Sequence, residues 1–368
     1  MVRSFPIQGL RRNRWLTAGG LAVLLLARMP CQAAAPPQAE ANRGHALEIK
    51  PSKSISAVYT FKVYSPNLTA NQWSIFTPRP PILSGQRILQ FESDPGGEIT
   101  IDQSPLKQPI LRVRQVVGTT DQQKSTTLSV KIDADLYSRR LVPRKPDRPP
   151  DAVARLPDPD RALFLRQSAH FNFQSTEVVR WMLEHGLLRK PDEEEIDYAR
   201  RIFQFIVRTF QYEYLGEQNR SASNVCTAGK SDCGGLAVLF CTVMRSQGIP
   251  ARTLAGRWAI SAKPGEKIGR VTYFQEHVKA EFFARNVGWV PVDLSSAVLH
   301  DKSAEKLKYF GNDQGDFLTL HLDSDLRLDT GAFGVRPVTL LQRPCYWVTG
   351  RGNTDKAVVS ESWVVTPR

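Results

Sequence analysis

The feature that most constrains this chain is a change of hydrophobic period at a cluster of prolines. Between Ala46 and Val142 apolar side chains recur at every second residue. The clearest run is Leu128, Val130, Ile132, Ala134 and Leu136, with Ser129, Lys131, Asp133 and Asp135 between them. Such alternation gives a strand one apolar and one polar face. Tyr59, Phe61 and Val63 alternate with Thr60, Lys62 and Tyr64 in the same way, and Ile99 and Ile101 follow the turn signal Asp94-Pro95-Gly96-Gly97. Several short strands separated by turns predict a small β-sandwich over residues 46–142. Prolines at 143, 146, 149, 150, 157 and 159 then stiffen and extend the backbone, which marks a linker over 143–159.

Beyond the linker the period is helical. Ser175 or Thr176 is placed to cap a helix carrying Val178, Val179, Met182 and Leu183 that stops at Gly186. Pro191-Asp192 with Glu193, Glu194 and Glu195 puts negative charge in the first turn of another helix, where the macrodipole favours it. Its apolar face runs Ile196, Ala199, Ile202, Phe203, Ile206 and Phe210, and it reads as scaffold. Alternation returns from Val271, and Val338 to Val365 read as further strands. The expected fold class is therefore α+β: a β-sandwich-like domain over 46–142, the linker, a helix-and-strand domain over 160–330, and a strand-rich C-terminal extension over 331–368.

The formal charge of +13 would suggest a polyanionic partner if it were spread over the folded part. Five of those charges, Arg3, Arg11, Arg12, Arg14 and Arg28, fall in the first 33 residues, which hold no acid, and +8 remains without them. Basic residues up to Arg14, an apolar stretch from Trp15 to Ala27 and small residues around Ala33 have the form of a cleavable export signal over 1–33. The stretch is short for a bilayer span, although an uncleaved anchor is the alternative. Arg252, Arg257 and Arg270 are scattered rather than striped, so they read as solvated surface, and no nucleic-acid partner is expected. The expected location is periplasmic or extracellular.

After the signal four cysteines remain, Cys226, Cys233, Cys241 and Cys345, too few for a disulfide scaffold; whether Cys226 or Cys345 forms a bridge is left open. Cys241, between Phe240 and Val243, reads as core. Cys233 is different. In Ser231-Asp232-Cys233-Gly234-Gly235-Leu236 it opens a helix whose apolar face is Leu236, Leu239, Phe240, Val243 and Met244 and which ends at Gly248. Unpaired N–H groups and the dipole at a helix start favour a thiolate. Gly234 and Gly235 are poor helix formers, and a substrate backbone approaching the sulfur would explain them. His277 opens the alternating strand Val278 to Ala284, and a turn at Arg285 to Gly288 leads into Trp289-Val290-Pro291-Val292-Asp293. Hairpin pairing brings His277 and Asp293 near one another. A thiol at a helix start, an imidazole to take its proton and a carboxylate to fix the tautomer make a nucleophilic triad.

These blocks, together with Met244-Arg245-Ser246-Gln247-Gly248-Ile249-Pro250-Ala251-Arg252, resemble the transglutaminase-like superfamily, whose core is papain-like, over roughly residues 190–296. The resemblance implies Cys233 as nucleophile, His277 as general base and Asp293 as its orienter. It departs at Val278 and Lys279, where many relatives carry an aromatic. The expected reaction is attack of Cys233 on an amide carbonyl of a protein or peptide, through a thioester, with hydrolysis ahead of protein-glutamine acyl transfer. A non-catalytic binding or assembly module is the remaining alternative. No cofactor or metal is expected, since a zinc site from Cys226, Cys233 and a histidine has unsuitable spacing. Tyr212 and Tyr214 are candidates for a second oxyanion donor, or else aromatic packing at a helix end.

Overall fold

A computed structural model describes residues 44–118, 123–144 and 155–368. The expected export signal over 1–33 and linker residues 145–154 lie outside them. The first six strands are β1 (His45–Tyr64), β2 (Leu68–Pro78), β3 (Gln86–Asp94), β4 (Glu98–Ile101), β5 (Pro109–Val116) and β6 (Ser125–Pro143). There follow α1 (Asp158–Leu165), α2 (Thr176–Glu184), α3 (Glu195–Thr209), β7 (Gln211–Tyr212), α4 (Ala222–Ala228), β8 (Lys230–Ser231) and α5 (Cys233–Ser246). Next come β9 (Ala251–Trp258), β10 (Lys267–Ile268), β11 (Val271–Thr272), β12 (Glu276–Ala284), β13 (Gly288–Val292) and α6 (Leu294–His300). The last strands are β14 (Asn312–Asp313), β15 (Phe317–Leu322), β16 (Leu326–Asp329), β17 (Val335–Val338), β18 (Cys345–Gly352) and β19 (Val358–Pro367).

The alternating strands form a sandwich. One sheet runs β14-β6-β1-β19, with β3 also on β6, and the other runs β18-β2-β5-β4. Tyr59, Phe61, Val63, Leu128, Val130 and Ile132 from the first bury against Trp73, Ile75, Leu111 and Val113 from the second. The segment 331–368, expected as an extension, supplies β18 and β19, one to each sheet, and Trp363 of β19 joins their shared core. An unpaired edge of β1 or β2 would leave a row of open N–H and C=O groups, and the C-terminal strands satisfy it.

The second half is built around α5, whose residues from Gly234 to Arg245 are all buried. It packs between α3, α4 and the sheet β13-β12-β9-β15. Ser175 caps α2 by accepting from the Val178 N–H, and Gly186 follows at a φ of +62°. Val178 and Met182 face the core, whereas Val179 and Leu183 are exposed. The helix expected from Pro191 starts later, at Glu195. Glu193 is drawn off by Arg201, which reaches both its oxygens at 2.8 Å, so the negative first turn is carried by Glu195 and Asp197.

The two halves are stitched along the outer strand β15. Gln86 accepts from the Thr319 N–H at 2.8 Å and donates to its carbonyl at 2.9 Å. Gln108 does the same to Leu322, at 2.7 and 2.8 Å. Each side-chain amide thus stands in for a strand residue at a sheet edge.

Candidate active site

Cys233 is the first residue of α5, and its place is fixed from both sides. Upstream, β8 pairs in parallel with β7, Tyr212 opposite Ser231. Asp232 is extended, and its carboxylate caps the helix by accepting from the Gly235 N–H at 3.0 Å. Arg220 clamps the same carboxylate through Nε at 2.9 and 3.0 Å and Nη2 at 2.5 Å. Arg220 carries no signal in the sequence, since it sits in a polar loop outside any periodic run.

The glycines have a different cause from the one expected. A Cβ on Gly235 would fall 2.0 Å from Ser231 Oγ, and one on Gly234 would fall 3.0 Å from Arg220 Cδ and 3.3 Å from Leu340 Cδ1. The protein's own side chains occupy the space that a substrate backbone was expected to need. Gly235→Ala is therefore expected to cost about 1–3 kcal/mol by overpacking, read from urea unfolding; a variant as stable as the parent would contradict this crowding.

On the other side, the backbone of Val278, directly after His277 on β12, lies close enough to the Cys233 sulfur to favour its charged form. The expected depression of the thiol pKa does not hold. Burial comes first and pushes the thiol well up, and the Asp232 charge adds to it, against the opposing pull of Arg220 and the Val278 backbone.

His277 is buried, and its Nε2 lies 2.8 Å from Asp293 Oδ2. Register in the β12-β13 hairpin sets Ala280 opposite Val292, so Asp293 falls just past the last paired residue, where it caps α6. It accepts from the Ser296 N–H at 3.0 Å, the Ser296 hydroxyl at 2.9 Å and the Ser295 hydroxyl at 3.4 Å. Burial would raise the Asp293 pKa, but His277, Lys279 and the Ser296 N–H together hold it below the usual carboxylate range. The structure thus brings His277 and Asp293 into contact and sets Cys233 near enough to Asp293 for that charge to act on it. With Nε2 committed to the carboxylate, Nδ1 is the nitrogen left for the sulfur side.

Trp258 at the end of β9 stacks on the imidazole, ring centroids 4.5 Å apart at 24°, and Phe317 meets it edge-on at 5.9 Å. The aromatic neighbour of His277 therefore comes from the adjacent strand rather than from positions 278 and 279. Tyr212, Tyr214 and Tyr273 lie close enough to Cys233 for its charge to act on all three, though burial is what chiefly raises their pKa values. All three are phenols at neutral pH and can donate. Tyr273 was not singled out from sequence.

One further expectation needs correcting. Arg252 and Arg257 are buried rather than solvated. Arg252 pairs with Glu281 at 2.7 Å and lies 3.9 Å over Trp289, whereas Arg257 donates to the Phe274 and Gln342 carbonyls and reaches Glu276. Only Arg270 is exposed. The bridge left open for Cys226 or Cys345 is not formed: Cys226, Cys233, Cys241 and Cys345 are all free thiols. Cys241 is fully buried in the core, as expected. Among the described residues no group of three His, Cys, Asp or Glu side chains is placed to hold a metal ion, and no helix is long and apolar enough to cross a membrane.

No curated protein matches the chain. Solved structures to which it is similar include a candidate cysteine protease from Cytophaga hutchinsonii, at 13% identity over 88% of this chain and 92% of that one, with a TM-score of 0.49. The periplasmic domain of TgpA from Pseudomonas aeruginosa bound to ethylmercury is similar at 14% identity over 68% of this chain and 91% of that one, TM-score 0.29. Red sea bream transglutaminase is similar at 12% identity over 77% of this chain and 60% of that one, TM-score 0.27. The interval 182–294 matches the model of the transglutaminase-like superfamily. That interval contains Cys233, His277 and Asp293, and it forms a transglutaminase-like domain.

Proposed function

We propose that this chain is an exported thiol hydrolase that cleaves amide bonds of proteins or peptides, with Cys233 as nucleophile, His277 as general base and then acid, and Asp293 as the orienter of His277. The observation that carries this reading is the buried contact of His277 Nε2 with Asp293 at 2.8 Å, with the backbone of the next residue, Val278, near enough to the Cys233 sulfur to act on its charge. The sulfur attacks the carbonyl carbon while its proton passes to His277 Nδ1; the amide C–N bond then breaks, and the same proton leaves with the amine. Water, deprotonated by His277, opens the thioester to a carboxylic acid and restores the thiol. The Cys233 N–H, in the first turn of α5, is the natural donor to the oxyanion, with the hydroxyls of Tyr212, Tyr214 and Tyr273 nearby as side-chain donors. Hydrolysis asks for no second amine site, which is why it is put ahead of transfer. Export rests on the basic and then apolar N-terminus through Ala27.

The test is to incubate the purified chain with a protein substrate and a primary-amine probe. New amino termini that appear with the parent and are absent with Cys233→Ala support the hydrolase. Incorporation of the probe without new termini would replace it with the acyltransferase, and neither product would sink the reading altogether.

A further inference from the structure

On β12 the residues His277, Lys279 and Glu281 share one face, two residues apart, while Val278, Ala280 and Phe282 face the α5 core from the other. A charged face would ordinarily look to water, yet all three are buried. Lys279 Nζ lies 4.6 Å over the Trp258 ring, the same ring that stacks on His277, and 4.9 Å over Phe317. Its ammonium is paired with Asp313 at 3.1 Å and stands 3.8 Å from Asp316. Asp313 in turn accepts from Arg139 of the sandwich strand β6 at 2.6 Å, and β14, which carries Asp313, pairs with β6.

We propose that Lys279 is a positioning residue for the His277–Asp293 pair, and that the sandwich sets its charge through Arg139 and Asp313. This rests on the reading of His277 as the base. The ammonium holds Trp258 against the imidazole by cation–π attraction and presents a positive field to Asp293, on which it acts in the direction of ionisation. It also opposes a second positive charge on His277. The charged groups around it are Asp313 and Asp316 from the β14–β15 segment and Asp293 at the start of α6. His277 faces Asp293 at the start of α6 and lies under the Trp258 ring. Glu276 is occupied by Arg257 and Arg343, and Glu281 by Arg139 and Arg252.

The test is the pH dependence of Cys233 alkylation by iodoacetamide in the full chain. The acid limb reports protonation of the thiol–imidazole pair. Lys279→Met removes a cation and is expected to move that limb upward by about half a pH unit or more, Asp313→Asn removes an anion and should move it downward, and Lys279→Arg should leave it in place. A purely structural role would slow alkylation with the limb unmoved. Coincident limbs for the parent and both neutralising variants, or movement of both in the same direction, would overturn the proposal. If Lys279→Met loses its far-ultraviolet circular dichroism, the direction shown by Asp313→Asn decides. His277→Ala separates the two readings: if it leaves rate and limb unchanged, the assignment of the base fails, whereas loss of the limb there with no shift in the other variants fails this inference alone.

Discussion

His277→Ala is expected to slow alkylation of Cys233 near neutral pH by about 10²–10⁴-fold, and Cys233→Ala to abolish new amino termini from a protein substrate. The size of the first effect follows from the site's own electrostatics. Burial raises the thiol pKa, so with no base almost none of it is thiolate at pH 7. The helix start does not overcome that desolvation, and reactivity has to come from a partner that accepts the proton as sulfur moves. In the proposed mechanism that partner is His277, the residue before Val278 on β12. Asp293→Asn is expected to fall between the parent and His277→Ala, because the neutral amide no longer stabilises an imidazolium on Nε2. Mapping the adduct by peptide mass checks that Cys233, and not Cys226 or Cys345, is the thiol labelled. Equal labelling of the three, or a rate indifferent to His277→Ala, would refute the assignment.

The parts of the fold that the sequence made legible are those in which one face is apolar. Alternation in β1 and β6 and the 3.6 period of α3 and α5 identified buried faces that the structure confirms in Tyr59, Phe61, Val130, Ile132, Ile202 and Leu239. The same reasoning misread the polar faces. Arg252 and Arg257 lie on opposite faces of β9, five residues apart, and each is covered from a distant segment: Arg252 by Glu281, which Arg139 of the sandwich also holds, and Arg257 by the Gln342 carbonyl. Periodicity reports polarity and is silent about whether a countercharge from a distant segment covers it. For the candidate site, Cys233, His277 and Asp293 were readable because the chemistry fixes their residue types and local elements fix their positions. Arg220, Trp258 and Tyr273 were not, since each reaches the site from a separate segment. The glycines after Cys233 were noticed for the right reason, absence of bulk, but the bulk excluded is that of Ser231, Arg220 and Leu340.

Glu281→Gln is expected to destabilise the protein by about 3–5 kcal/mol, the largest stability effect of any single change considered. Glu281 is fully buried and accepts from Arg139 of the sandwich as well as from Arg252, whose Nε lies 2.8 Å away. The neutral amide cannot balance two guanidinium groups in that interior, and Asp313 compensates only Arg139. Burial alone would raise the Glu281 pKa, but the two arginines win and hold it below the ordinary glutamate value. A carboxylate depressed on folding contributes stability that is fully present above its unfolded pKa and drains away as pH falls through the folded one. In urea unfolding the parent should therefore weaken progressively below about pH 4.5, and the Gln variant, already weakened at pH 7, should lose less over the same interval. Because Arg139 belongs to β6 and Glu281 to β12, the pair ties the sandwich to the strand bearing His277, and the parent should unfold in one transition by tryptophan fluorescence and circular dichroism alike. A Gln variant within about 1 kcal/mol of the parent would show that the halves are held together by something other than this buried charge cluster, and two separate transitions in the parent would show that the cluster does not couple them.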